Sequence, residues 1–160
     1  MSGISSRKGA GMSPIVKTVT RMATGFIVIF GTAVVLYGHV SPGGGFAGGV
    51  IISSAFVLVV LAYGREYASR FVTGRVASMW DSGGALAFLA VAMLGYLGGH
   101  FFWNFLRPPP GAEVSLFRLY SAGSVVLSNA SIGIKVGMGL FGIFFTLSIF
   151  RREKSEERSD

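Results

Sequence analysis

The chain has 160 residues, 51% hydrophobic and 13% charged, with a formal net charge of +7 and no cysteine. Soluble domains carry roughly 25% charged residues; here the charges stand outside long uncharged runs, which excludes an ordinary globular domain and marks an all-α integral membrane protein. The missing cysteine excludes disulfides, thiolate metal sites and thiol nucleophiles, and the basic excess flanks the apolar runs, so it fits anchoring at a membrane face rather than nucleic-acid binding.

Four transmembrane helices are expected in one membrane domain over residues 1–160. They run from about Thr18 to Tyr37, Phe46 to Tyr63, Gly83 to Phe105 and Ala130 to Phe150. Each has roughly the 17–25 residues that cross hydrocarbon as a helix. Helices are the default in lipid because the backbone must satisfy itself, and the alternation of a membrane barrel is missing. The first span follows Arg7, Lys8, Lys17 and Arg21. It is longer than the apolar core of a signal peptide and no small-x-small cleavage site follows, so it reads as a retained helix.

The loop after span one is Gly38-His39-Val40-Ser41-Pro42-Gly43-Gly44-Gly45-Phe46-Ala47-Gly48-Gly49. Glycine in such density is costly in chain entropy, so the backbone must turn sharply and pack closely. Gly43, Gly45 and Gly48 match G-x-G-x-x-G, but no βαβ unit surrounds them, which removes the dinucleotide reading. Gly44 with Gly48, and Gly45 with Gly49, form small-x-x-x-small pairs for helix contact. Gly95 with Gly99, and Gly133 with Gly137, repeat the spacing in spans three and four.

Arg65, Arg70 and Arg75 separate spans two and three, and Arg151, Arg152, Lys154 and Arg158 follow span four. With the N-terminal group this places eleven basic residues on one side of the membrane, against Arg107 and Arg118 on the other. The positive-inside rule then puts both termini in the cytoplasm and the glycine loop outside. Arg107-Pro108-Pro109-Pro110-Gly111 stiffens the exit from span three. Residues Val114 to Asn129 mix apolar side chains with Ser121, Gly123, Ser124, Ser128 and Asn129. They read as an interfacial helix followed by a re-entrant or extended stretch. The tail from Arg151 is expected to be solvated and partly disordered.

Lys135 is the one unambiguous ionisable group within a span, roughly 8 Å from its start if that helix begins near Ala130. Two readings stand: snorkelling to the outer interface, or a cation in an ion or proton pathway. His39 and His100 fall at outer ends of spans; each reads either as an interface aromatic or as a proton relay. Two histidines with no carboxylate nearby do not make a metal site, and no cofactor is expected. Asp81, at the inner end of span three, is expected to cap that helix, with pairing to Arg75 as the lesser alternative. No Asp or Glu falls inside any of the four spans so drawn, so the chain lacks the titratable carboxylates of a self-sufficient exchanger. It also lacks a catalytic triad or HExxH, and is not expected to be an enzyme by itself.

The Gly38-to-Gly49 segment, with Ser41-Pro42-Gly43-Gly44-Gly45-Phe46 at its centre, resembles the signature of the B-type subunits of Mrp-type sodium/proton antiporters. The same module occurs in archaeal membrane-bound hydrogenases and sulfane reductase complexes. The four-span layout and Ile132-Gly133-Ile134-Lys135-Val136-Gly137 fit as well, so the resemblance runs from about Met22 to Phe150. It implies a small accessory subunit of a large assembly in the cytoplasmic membrane, next to large partners similar to the proton-channel subunits of complex I. The small subunits of such assemblies are thought to help form the sodium pathway. Lys135, His39 and His100 are the pathway candidates, and the signature turn with Gly48, Gly49, Gly133 and Gly137 the packing candidates. A stand-alone oligomeric carrier or channel is the alternative from another class.

Overall fold

The structure is a computed structural model that describes residues 12–40, 42–64, 67, 72–106 and 122–156, with side chains through residue 148. Four long helices account for most of them: α1 (Pro14–Leu36), α2 (Gly44–Tyr63), α3 (Gly74–Leu94) and α4 (Ser124–Glu156). All four are long and apolar enough to cross a membrane. Many of their large apolar side chains are exposed, with Ile15, Met22, Phe26 and Ile29 on the outside of α1 and Leu86 and Met93 on that of α3. That is the surface of a protein whose solvent is hydrocarbon.

The helix ends follow from local chemistry. α1 starts four residues before Thr18 because Ser13 and Pro14 form a start signal: the Ser13 hydroxyl accepts from the Val16 N–H, and Pro14 has no N–H to leave unpaired. α3 starts at Gly74, not Gly83, so Arg75, Trp80 and Asp81 lie inside the helix. Asp81 does not cap the helix, whose N-cap is Thr73, but finds a partner on α4. α3 also stops at Leu94, short of Phe105. It tightens into a 3-10 turn over Gly95–Gly98, and Gly99 takes the left-handed φ of 101°. Residues 100–105 then fold back, with the Phe102 N–H donating to the Ala92 carbonyl at 3.3 Å. Gly95 and Gly98 lie against Phe102 and Trp103 of this fold-back rather than against another helix.

α4 begins at Ser124, six residues before Ala130. Its polar residues do not interrupt it, because Ser128 and Ser131 donate their hydroxyls to the carbonyls of Ser124 and Leu127, one turn back. The Asn104 carboxamide holds the start, accepting from the Ser124 N–H at 2.8 Å and its hydroxyl at 3.0 Å, and donating to the Ala122 carbonyl. No re-entrant or extended stretch therefore lies between Ser124 and Asn129; residues 107–121 are outside the described part, as are Arg65 and Arg70. At its other end the backbone of α4 continues through Arg151, Arg152 and Lys154 to Glu156, residue types that favour helix.

The helices stand in a row, α1–α2–α4–α3, with a minor contact between α1 and α4. α1 and α2 run antiparallel, Val35 meeting Gly48 and Gly31 meeting Ile52. α2 and α4 run parallel, Gly45 meeting Asn129 and Gly49 meeting Gly133. At the glycine end the backbones touch. At the other end Phe56, Val60, Val72, Ala77, Phe141 and Phe145 fill the space between α2, α3 and α4. The core is thus a wedge, with glycine at its thin edge and aromatic rings at its thick one.

Candidate functional site

The glycine turn is built for contact with α4. Gly43 and Gly44 have φ of 96° and 47°, which glycine adopts without strain and other residues rarely do. The chain can therefore reverse direction within a few residues and start α2 at once. The Gly45 N–H donates a long 3.4 Å hydrogen bond to the Asn129 Oδ1, and a Cβ on Gly45 would collide with the Asn129 backbone. A Cβ on Gly48 would collide with Val35, and one on Gly49 would lie 2.7 Å from the Gly133 carbonyl. Gly137 lies across from Gly49. Phe46 and Pro42 instead face outward. Ser41 lies outside the described residues.

Lys135 does not sit near a helix end. It is eleven residues into α4, about 16 Å along the axis, because that helix starts earlier than the sequence suggests. Its Nζ donates to the Asp81 Oδ1 at 2.9 Å, forming an ion pair between α4 and α3. Asp81 is seven residues into α3, so an acidic group does lie inside a span; the expectation of none is overturned, and with it the pairing of Asp81 with Arg75. Gly133 and Gly137, two residues on either side of Lys135, lie on the opposite face of α4, toward α2. The glycine that brings a helix up to Lys135 is Gly84 of α3, where a Cβ would lie 2.8 Å from the Lys135 backbone nitrogen and 2.9 Å from the Ser131 carbonyl oxygen.

The ion pair opens sideways. The side chains of Lys135 and Asp81 are 48% and 34% exposed, and a groove of about 420 Å³ runs on from Asp81 between α3 and α4. Its walls include Ala77, Ser78, Gly139, Gly142, Ile143 and Thr146. Neither histidine joins the pair. His39, in the turn after α1, stacks on Tyr37 at 6.4 Å, and His100, after α3, packs on Trp103 at 5.7 Å. Among the described residues no cluster of His, Asp or Glu has the size of a metal site.

Asp81 and Asn129 are the functional candidates that sequence reasoning passed over. A signal for the first existed: Asp81 and Lys135 are each the lone charge of a long apolar stretch and are opposite in sign. Two such charges are expected to find each other.

Over residues 15–142 the chain matches the family described as "Domain related to MnhB subunit of Na+/H+ antiporter". It is 32% identical over 159 residues to an uncharacterized protein of Methanocaldococcus jannaschii, covering 91% of this chain and 58% of that protein. It is 29% identical over 133 residues to the Staphylococcus saprophyticus protein "Putative antiporter subunit mnhB2", covering 80% of this chain and 94% of that one. A chain in the structure of the membrane-bound sulfane sulfur reductase, an archaeal respiratory membrane complex, superposes with a TM-score of 0.71 at 29% identity. That match covers 89% of this chain and 60% of the other. The chain thus spans a little over half the length of two of these relatives. With four apolar helices, a glycine turn locked on α4 and a match over most of its length, this multi-pass membrane protein belongs to the family of domains related to the MnhB subunit of sodium/proton antiporters.

Proposed function

We propose that this chain is an accessory subunit of a multi-subunit Mrp-type sodium/proton antiporter module in the cytoplasmic membrane. It packs against larger, complex I-like proton-channel subunits, and helps form the path of sodium ions or protons. The observation that carries the reading is the Asp81–Lys135 pair. An ionisable pair in the middle of apolar helices is seldom there for stability, since replacing such a pair with apolar groups is often neutral or favourable. Both side chains stay partly exposed, and a groove between α3 and α4 runs on from Asp81. That geometry suits a path completed by other subunits better than a stand-alone carrier. In this reading both termini face the cytoplasm, the chain itself catalyses no chemistry, and His39 and His100 stand at the outer mouth.

The test is sodium efflux and sodium-dependent proton movement in vesicles from cells in which this chain is deleted, then restored as wild type or as Lys135→Met. Loss on deletion, rescue by the wild type and failure of Lys135→Met are expected. Normal antiport without the chain would sink the reading. A second reading is favoured by the structural likeness to the sulfane reductase chain: the same subunit inside a hydrogenase or sulfane reductase complex. Purification from native membranes separates the two, since iron–sulfur or nickel–iron proteins accompany the chain only in the second.

A further inference from the structure

We infer that the α3–α4 face bearing Asp81 and Lys135 is covered, in the assembled protein, by a membrane-spanning helix of a different subunit. That helix brings an uncharged hydrogen-bonding side chain to the level of the pair. The inference rests on the reading of this chain as a subunit, and goes beyond it by naming the face and the chemistry of what meets it.

The pair satisfies itself only in part. Among the described residues Asp81 uses one oxygen, Oδ1, and Lys135 one of its three N–H groups. The remaining capacity points out of the row, since both side chains are a third to a half exposed. The groove that runs on from Asp81 is flanked by exposed apolar side chains, Ile143 and Leu147. Lys135 lies about 16 Å from one end of the apolar stretch Ser124–Ser148 and about 20 Å from the other. From that depth Lys135 does not reach water by snorkelling along its own helix, Asp81 lies about 10 Å inside the start of α3, and acyl chains offer no hydrogen bonds.

The surface near the pair has the shape for a helix. The groove is walled by Ala77 and Ser78 on α3 and by Gly139 and Gly142 on α4, and Gly142 has open space where a Cβ would stand. Small residues on both walls let a third backbone come close. The pair is neutral as it stands, so a third charge would be left uncompensated at this depth. A hydroxyl or carboxamide, which can donate to the open Asp81 oxygen and accept from Lys135, would not.

A photo-reactive diazirine amino acid is placed at Ile143, on the groove, or at Leu86, exposed on the other side of α3. Native membranes are irradiated and the purified adducts mapped by mass spectrometry. We expect the Ile143 probe to capture a distinct multi-pass subunit about tenfold more than the Leu86 probe does. The captured segment should be a membrane span with Ser, Thr, Asn, Gln or Tyr within one turn of the cross-link, the small-residue walls allowing that approach. Capture of lipid alone, of a second copy of this chain, or of a span without such a residue would overturn the inference. Asp81→Asn and Lys135→Met should each lower co-purification of the captured subunit about tenfold, with the double variant recovering most of it, because a lone charge is worse than none. Unchanged co-purification in both single variants would also overturn it. A wild-type chain recovered alone from its membranes would overturn the subunit reading itself. An intact complex whose Ile143 probe labels only lipid would overturn this inference and leave that reading standing.

Discussion

Asp81 and Lys135, 54 residues apart in the chain, behave as a single electrostatic object. Removing either leaves the other alone at mid-helix, which is more damaging than removing both. Asp81→Asn and Lys135→Met are therefore each expected to lower the melting temperature of the detergent-purified chain, and the double variant to lie closer to wild type than either. The single-residue logic of the glycines is as sharp. A methyl on Gly45 would collide with the Asn129 backbone, whereas one on Gly25 meets nothing within 4 Å. Gly45→Ala is expected to cost about 1–3 kcal/mol by overpacking. Gly25→Ala, in the interior of α1, should stabilise by about 0.5–1 kcal/mol. Thermal unfolding of the two variants side by side checks the contrast.

Among the elements, α4 shows how a helix start hides in a sequence. Ser124, Ser128 and Asn129 look like breaks, yet the Ser128 hydroxyl bonds back into the helix and Asn129 serves α2 across the interface. The start is fixed by Asn104, twenty residues upstream, which satisfies the Ser124 N–H and hydroxyl. Asn104→Ala is expected to cost about 1 kcal/mol, as the loss of a cap does. Faster amide hydrogen exchange confined to Ser124–Leu127 would be its signature. The span boundaries of α3 shifted for a related reason. An apolar-run criterion stops at a charge, but Asp81 is carried inside the helix by its partner on α4, and glycine at 95 and 99 ends the helix sooner than hydropathy does.

The four helices taken together stand in the order α1–α2–α4–α3, with α1 also touching α4. The basic residues of the N-terminal segment, the α2–α3 connection and the C-terminal segment predict that both ends of the chain face the cytoplasm. Single cysteines introduced at Ser2 and Ser159 should react with an impermeant maleimide only in inside-out vesicles, and reaction in intact cells would reverse the topology. Gly142→Ala, by contrast, fills open space on the groove. It should leave the isolated chain as stable as wild type while reducing its recovery with the complex.

The features legible from the amino acids alone are local and additive. Four apolar runs, the basic residues between them and a glycine turn follow from hydropathy, charge count and backbone freedom, each read within a window of twenty residues or so. The family was legible for the same reason, because the turn is one continuous segment. Where two of the helices begin, and which charges live inside them, was settled by packing between segments far apart in the chain. Asp81 reads as a helix cap until α3 packs on α4. Gly84 then lets the backbones close, Lys135 comes within 2.9 Å, and a charge that hydrocarbon alone would exclude becomes one half of a neutral pair.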